Sequence, residues 1–208
     1  MLEIFTDILN IIATVSCAIS GALVATQKKM DIFGVAILGL AGATGGGLMR
    51  DILIGNLPPQ MMIIPTYAII ALAVSVIIFI PPIRSRVKKR QETFDWILFS
   101  MDTLGLATFS VIGISVTKAT VPECSTFLLI FIGTLNGVGG SLLRDIMAGD
   151  TPFIFIKDFY ACASIIGSAA CVVLWNFTDG KIAMSVGAFL IVVLRILAVK
   201  FHWKLPKA

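Results

Sequence analysis

Apolar residues along this chain gather into long, nearly uninterrupted runs separated by short polar stretches, without the period-two alternation of strands. Seven such runs predict helices near Ile4–Gln27, Ile32–Ile54, Met61–Ile80, Trp96–Thr117, Cys124–Ala148, Phe159–Trp175 and Ile182–Lys200. Each approaches the roughly 20 residues needed to cross a bilayer core as a helix. Glycine and proline inside several runs are tolerated in lipid when neighbouring helices satisfy the freed backbone groups. Barrel strands would be short and alternating. The pattern therefore predicts an all-α membrane protein with seven transmembrane helices.

Composition points the same way. Of 208 residues, 58% are hydrophobic and 13% charged, against about 25% charged in a soluble domain. The first run is read as a span and not a cleaved leader, because Glu3 and Asp7 replace a basic leader. Cys17, Cys124, Cys162 and Cys171 lack metal-ligand spacing and read as small buried hydrophobes. No cofactor and no fixed-ligand metal site is expected. His202 stands alone at the end of the seventh helix.

The loops divide by charge. Lys28, Lys29, Lys157, Lys200, Lys204, Lys207 and the cluster Arg84, Arg86, Lys88, Lys89 and Arg90 fall on one side, with Lys118 and Lys181 on the other. The basic side is expected to be cytoplasmic, placing the N-terminus outside and the C-terminus inside. The basic cluster serves first as a topology signal and second as a candidate contact for anionic lipid headgroups. Arg195, in the last helix, is expected to snorkel towards the cytoplasm.

One element occurs twice. Gly45-Gly46-Gly47-Leu48-Met49-Arg50-Asp51-Ile52 returns as Gly139-Gly140-Ser141-Leu142-Leu143-Arg144-Asp145-Ile146, the residue numbers of the two arginines differing by 94. Gly55 and Pro58 recur as Gly149 and Pro152. Asn10 through Gly21 aligns more weakly with Asp102 through Gly113, pairing Ser16 with Thr108. The expected organisation is a first three-helix repeat (1–81), a basic cytoplasmic linker (82–95) opened by Pro81-Pro82, a second repeat (96–176), and a seventh helix with its tail (177–208). Three is odd, so the second unit enters the membrane from the opposite side. Such inverted repeats place ion or substrate paths at the repeat interface.

The repeated element admits two readings. Glycine in a helix interior costs roughly 0.5–1 kcal/mol relative to alanine. Gly45-Gly46-Gly47 and Gly139-Gly140-Ser141 are therefore expected to bend their helices and turn carbonyls towards a cavity, where Thr44, Asn136 and Ser141 add neutral oxygens. Neutral oxygens suit potassium and sodium, and a transient potassium position is expected near Gly45, Gly46, Gly139 and Gly140. The other reading is close helix packing, for which Gly39, Gly42, Gly46, Gly133 and Gly137 are well spaced. Arg50-Asp51 and Arg144-Asp145 likewise read as ion pairs that lock helices, or as charges that line or gate a path. A central arginine costs about 2.5–3.5 kcal/mol on insertion scales. Asp102, early in the fourth helix, is expected to face protein and is counted with Thr44, Asn136 and the repeated element among the candidate pore or gate residues.

The duplicated Gly-Gly-x-Leu-x-Arg-Asp element, in two three-helix units plus a seventh helix, resembles the prokaryotic trimeric intracellular cation channel family, also grouped as a repeated bacterial glycine-transporter domain. The likeness spans roughly residues 4 to 200. It implies a homotrimer in the inner membrane, with a pore for monovalent cations, chiefly potassium, in each protomer. Residue by residue it marks Gly45, Gly46, Gly47, Arg50 and Asp51, and Gly139, Gly140, Ser141, Arg144 and Asp145, as pore or gate. Ser141 departs from a third glycine, and Asn10 stands where the second repeat has Asp102.

A passive potassium-permeable channel is thus the leading expectation. The alternative is a secondary transporter for glycine or another small amino acid, since inverted repeats suit alternating access. Scarce intramembrane carboxylates for proton coupling favour the channel. An enzyme is not expected, because the chain lacks a metal cluster, nucleophile elbow or phosphate loop.

Overall fold

A computed structural model describes residues 2–82, 91–156 and 159–203. Within these the chain forms nine helices and no strand: α1 (Leu2–Gln27), α2 (Ile32–Leu53), α3 (Gln60–Ile63), α4 (Thr66–Phe79), α5 (Gln91–Thr120), α6 (Thr126–Met147), α7 (Phe153–Ile156), α8 (Tyr160–Trp175) and α9 (Gly180–Lys200). Five of them, α1, α2, α5, α6 and α9, are long and apolar enough to cross a membrane, while α4 and α8 are shorter apolar helices. The outside is correspondingly apolar, with Phe33, Trp96, Phe127 and Phe189 each at least 70% exposed. The polar and charged side chains instead turn inward. This is the inversion expected of an all-helical membrane protein.

Local chemistry sets the helix ends. Asp31 caps α2 by accepting the Gly34 amide at 2.8 Å, and Ser125 caps α6 by accepting that of Leu128 at 3.2 Å. The expected third span, Met61–Ile80, is interrupted. Pro65 lacks an amide donor and Ile64 before it is extended, so a one-turn α3 is followed by a separate α4. α5 starts at Gln91, inside the stretch 82–95 read as linker. The basic cluster at Arg84, Arg86, Lys88, Lys89 and Arg90 lies outside the described residues, as do Lys157, Lys204 and Lys207.

Helices α1, α2 and α4 pack on one another, and so do α5, α6 and α8. The two groups meet through α1 against α5 and α2 against α6, while α9 covers α5 and α8. Within each group the first two helices cross in the same way. A Cβ on Gly21 would fall 2.6 Å from the Leu38 carbonyl oxygen, and one on Gly113 would fall 3.1 Å from that of Ile132. Ile132 is the residue 94 positions after Leu38.

The α2/α6 contact is reciprocal. A Cβ on Gly46 would sit 2.1 Å from the Asn136 carbonyl oxygen, and one on Gly140 would sit 2.1 Å from that of Gly42. Gly45 faces Leu143, while Gly139 faces Met49. Each contact is matched by its partner 94 positions away, the signature of a two-fold relation. Higher numbers on one helix meet lower numbers on the other, so the pair runs antiparallel.

Candidate functional site

The glycine triplets do not break their helices. Both α2 and α6 run without interruption through them, and Gly45, Gly46, Gly139 and Gly140 are buried in the α2/α6 contact. These contacts favour the close-packing reading of the four glycines. Their missing side chains let two backbones touch, which maximises van der Waals contact where lipid supplies no hydrophobic drive. Gly47 differs: a Cβ there would find only the Arg50 Nη2 at 3.8 Å, and Gly47 lines a cavity.

That cavity, about 50 Å3, is bounded by Asn10 and Thr14 of α1, Thr44, Gly47, Arg50 and Asp51 of α2, and by Gln60, Tyr67 and Phe109. A buried water needs roughly 10–15 Å3 of such volume, so the space is large enough for a few waters. A wider vestibule of about 1010 Å3 opens beside it, lined by Glu3, Asp7, Asn56, Lys118 and Trp175 among others. Asn10 and Gln60 line both spaces. Tyr67 donates to Asp7 Oδ1 at 3.1 Å, linking the cavity wall to the vestibule rim.

The two Arg-Asp units share one local design. Arg50 Nε donates to Asp51 Oδ1 at 2.9 Å, and Arg144 Nε to Asp145 Oδ1 at 2.8 Å. Each aspartate turns its other oxygen to the start of a short helix: Asp51 Oδ2 accepts the Gln60 amide, and Asp145 Oδ2 accepts the Phe153 amide, both at 2.9 Å. The chain reaches those amides through a matching C-terminal turn. Gly55 (φ +72°) and Gly149 (φ +71°) take left-handed positions where side chains are strained. Asn56 and Asp150 then return their amides to the carbonyls of Asp51 and Asp145 at 2.8 and 3.0 Å. The repeated string thus encodes helix end, glycine turn and anchor together.

Beyond this shared core the units diverge. Arg144 Nη1 also donates to Asp102 Oδ1 at 2.8 Å and to the Ser20 hydroxyl at 2.5 Å, with the guanidinium 4.9 Å from the Phe153 ring. Among the described residues no carboxylate from a second long helix pairs with Arg50, which faces the cavity. Asn136 turns from the cavity, its amide donating to the Phe109 carbonyl at 2.5 Å. Ser141 donates to the Val138 carbonyl and accepts the Tyr160 hydroxyl at 3.0 Å. The residues marked in sequence therefore separate into Thr44, Gly47, Arg50 and Asp51 at an open cavity and Asp102, Ser141, Arg144 and Asp145 in a closed cluster.

Arg195 does not snorkel. It is 1% exposed, its guanidinium 4.6 Å from the Tyr160 ring and 5.1 Å from Phe99. Aromatic faces replace water there. Sequence reading also missed Asn10 as a cavity residue, and missed Thr14, Ser20, Gln60, Tyr67 and Tyr160. The tyrosines had a usable signal: they are the only two in the chain, 93 positions apart, at the starts of α4 and α8.

A family model described as glycine transporter matches twice, over residues 7–81 and 99–176. The inner membrane protein YadS of Escherichia coli (strain K12) is 33% identical across 95% of this chain and 93% of its own length. Membrane protein YvgT of Bacillus subtilis is 32% identical across 96% and 95%. A solved TRIC cation channel is 32% identical, covers 97% of this chain and 96% of its own, and superposes with a TM-score of 0.84. The chain belongs to the prokaryotic TRIC family. The TRIC orthologue from Rhodobacter sphaeroides superposes with a TM-score of 0.87 at 28% identity, covering 96% of this chain and 99% of that one. The double match of the family model falls on the two helix groups, so each TRIC repeat contributes one Arg-Asp unit.

Proposed function

We propose that this TRIC protein is a potassium-permeable monovalent cation channel of the prokaryotic inner membrane, working as a homotrimer with a route inside each protomer. The observation that carries this reading is the polar cavity at Thr44, Gly47 and Arg50, which shares Asn10 and Gln60 as walls with the larger space at Glu3 and Asp7. Its polar lining is mostly neutral oxygen, which replaces a monovalent cation's hydration shell. Solved relatives described as TRIC cation channels add support.

In this reading, seven spans form two inverted three-helix repeats (1–81 and 96–176), a linker (82–95) and a seventh helix with tail (177–208). The reciprocal antiparallel α2/α6 contact favours that arrangement. The charge bias places the N-terminus and vestibule outside and the C-terminus in the cytoplasm. The route runs beside the α2/α6 crossing, with Arg50 on its outer flank and Arg144, Asp102, Asp145 and Ser141 on its inner flank. Anionic headgroups would be met by Arg84, Arg86, Lys88, Lys89 and Arg90.

The family description as glycine transporter favours a second reading, carriage of glycine or another small amino acid. Purified protein in liposomes separates the two. Potassium efflux that continues unchanged with glycine present supports the channel. Saturable glycine counterflow without potassium current replaces it with the carrier.

A further inference from the structure

The vestibule is lined by charges of both signs, carried on different helices. Glu3 and Asp7 are one turn apart on α1, so their carboxylates share a helix face. Lys118, in the last turn of α5, lines the same space with Trp175 at the end of α8. Among the described residues neither carboxylate pairs with Lys118, whose ammonium lies over the Trp175 ring, 5.6 Å from its centroid. Asp7 Oδ1 accepts the Tyr67 hydroxyl at 3.1 Å, which holds that carboxylate on the wall. Ile63, Ile64 and Val116 add apolar surface. At about 1010 Å3, the space matches the upper end of the roughly 300–1,000 Å3 found for pockets of drug-sized ligands. Free glycine would fill a small part of it.

These features select a class of ligand. A simple anion would meet Glu3 and Asp7, a simple cation would meet Lys118, and like charges brought together oppose both. A zwitterion, with an ammonium at one end and an oxyanion at the other, complements both walls. An apolar stem would suit Ile63, Ile64 and Val116. The space is framed by the start of α1 and the ends of α5 and α8, all of them places where apolar helices stop. That is the depth of lipid headgroups, where tryptophan and lysine side chains concentrate. We propose that the vestibule binds an ammonium–phosphate zwitterion, supplied as the headgroup of phosphatidylethanolamine. Its ammonium donates to Glu3 and Asp7, and its phosphate accepts from Lys118. A choline headgroup has no N–H to give the carboxylates, and a glycerol headgroup has no cation. The bound headgroup stands beside Asn10 and Gln60, which also wall the smaller cavity, and so narrows access to it.

The test is native mass spectrometry of the full-length protein, offered equal amounts of phosphatidylethanolamine, phosphatidylcholine and phosphatidylglycerol of one acyl composition. Unmodified protein should retain the ethanolamine lipid about tenfold over the other two, the scale of one charge-assisted hydrogen bond gained or lost. K118Q should bring the three lipids to parity, E3Q should lower the preference severalfold, and K118R should keep it. E3Q spares the bond between Asp7 and Tyr67, so it changes the charge of the wall without loosening α4. Glycine and O-phosphoethanolamine are then added as soluble competitors. Retention that neither competitor lowers assigns the site to lipid, whereas displacement keeps the zwitterion site and gives it a free ligand. Equal retention of the three lipids by unmodified protein overturns the proposal, as does the same preference in K118Q and E3Q as in unmodified protein. Loss in only one of those two variants also overturns it, because a site for a single charge would remain. Binding is read here without ion flux. A protein silent in potassium recordings would therefore remove the channel reading and leave this site standing.

Discussion

Gly46 presses on the backbone of Asn136: a Cβ on this glycine would stand 2.1 Å from the Asn136 carbonyl oxygen, with no flexible side chain able to yield. The next glycine, Gly47, has open space where its Cβ would lie, its nearest neighbour being Arg50 Nη2 at 3.8 Å. Adjacent glycines thus do different things. One closes a helix crossing and the other clears a cavity.

This contrast fixes the first prediction. G46V, and G140V against the Gly42 carbonyl, must push α2 and α6 apart. Each should destabilise by more than the roughly 1–3 kcal/mol typical of overpacking. G47A should instead stabilise by about 0.5–1 kcal/mol, because alanine is the better helix residue where space allows. Thermal unfolding in detergent measures both. Unchanged stability with valine at position 46 or 140 would contradict the crossing described here.

The left-handed turns are the second target. G55A and G149A should each cost about 1–2 kcal/mol, the penalty for an L side chain in this region, although nothing lies within 4 Å of either Cβ position. Asparagine should cost less, because it tolerates this conformation. Unfolding of the alanine and asparagine variants gives the order directly. A space-limited site would instead penalise asparagine more.

Asp51 and Asp145 each serve an arginine and a helix start at once. D51N and D145N should therefore loosen two things together. Breaking a buried pair costs about 3–5 kcal/mol, and hydrogen exchange should quicken at the Gln60 and Phe153 amides, which these carboxylates accept at 2.9 Å. A fall in stability with unchanged exchange at those amides would leave only the ion-pair role.

Much of this architecture was legible in the residues. Long apolar runs mark the helices, and the recurrence of Arg50-Asp51 as Arg144-Asp145 marks the two units. The spacing to Gly55 and Gly149 even encodes the turns, because each turn is local. Pro65 carried its own warning that Met61–Ile80 would not be one rod. The glycine triplets left two readings open, because bending and close packing ask for the same small residues, and only the facing helix shows the packing. Arg195 misled for a related reason. Its burial depends on Phe99 and Tyr160, which come from other helices. Ser20 was invisible because a hydroxyl on an apolar helix usually bonds to its own backbone, and its reach to Arg144 spans 124 positions.

The cavity lining makes a further prediction. Y67F removes the hydroxyl that donates to Asp7, and T44V removes a neutral oxygen from the cavity wall while keeping its volume. T44V should reduce unitary potassium current severalfold, by an amount on the order of 1 kcal/mol for one lost oxygen contact. Y67F should alter current without lowering the unfolding temperature by more than about 2–4 °C, because its bond lies at an exposed rim. Currents unchanged in both variants would move the route away from this cavity.

Single-channel recording of R50Q in a planar bilayer tests the central claim most directly. Arg50 is the one positive side chain lining the cavity, beside Asp51. If potassium passes there, removing that charge should raise unitary conductance by about twofold or more, since a fixed charge within a Debye length repels the ion. Glycine added to the bath should leave that current unaltered. Unitary conductance identical in R50Q and the unmodified protein would contradict a cation route past Arg50.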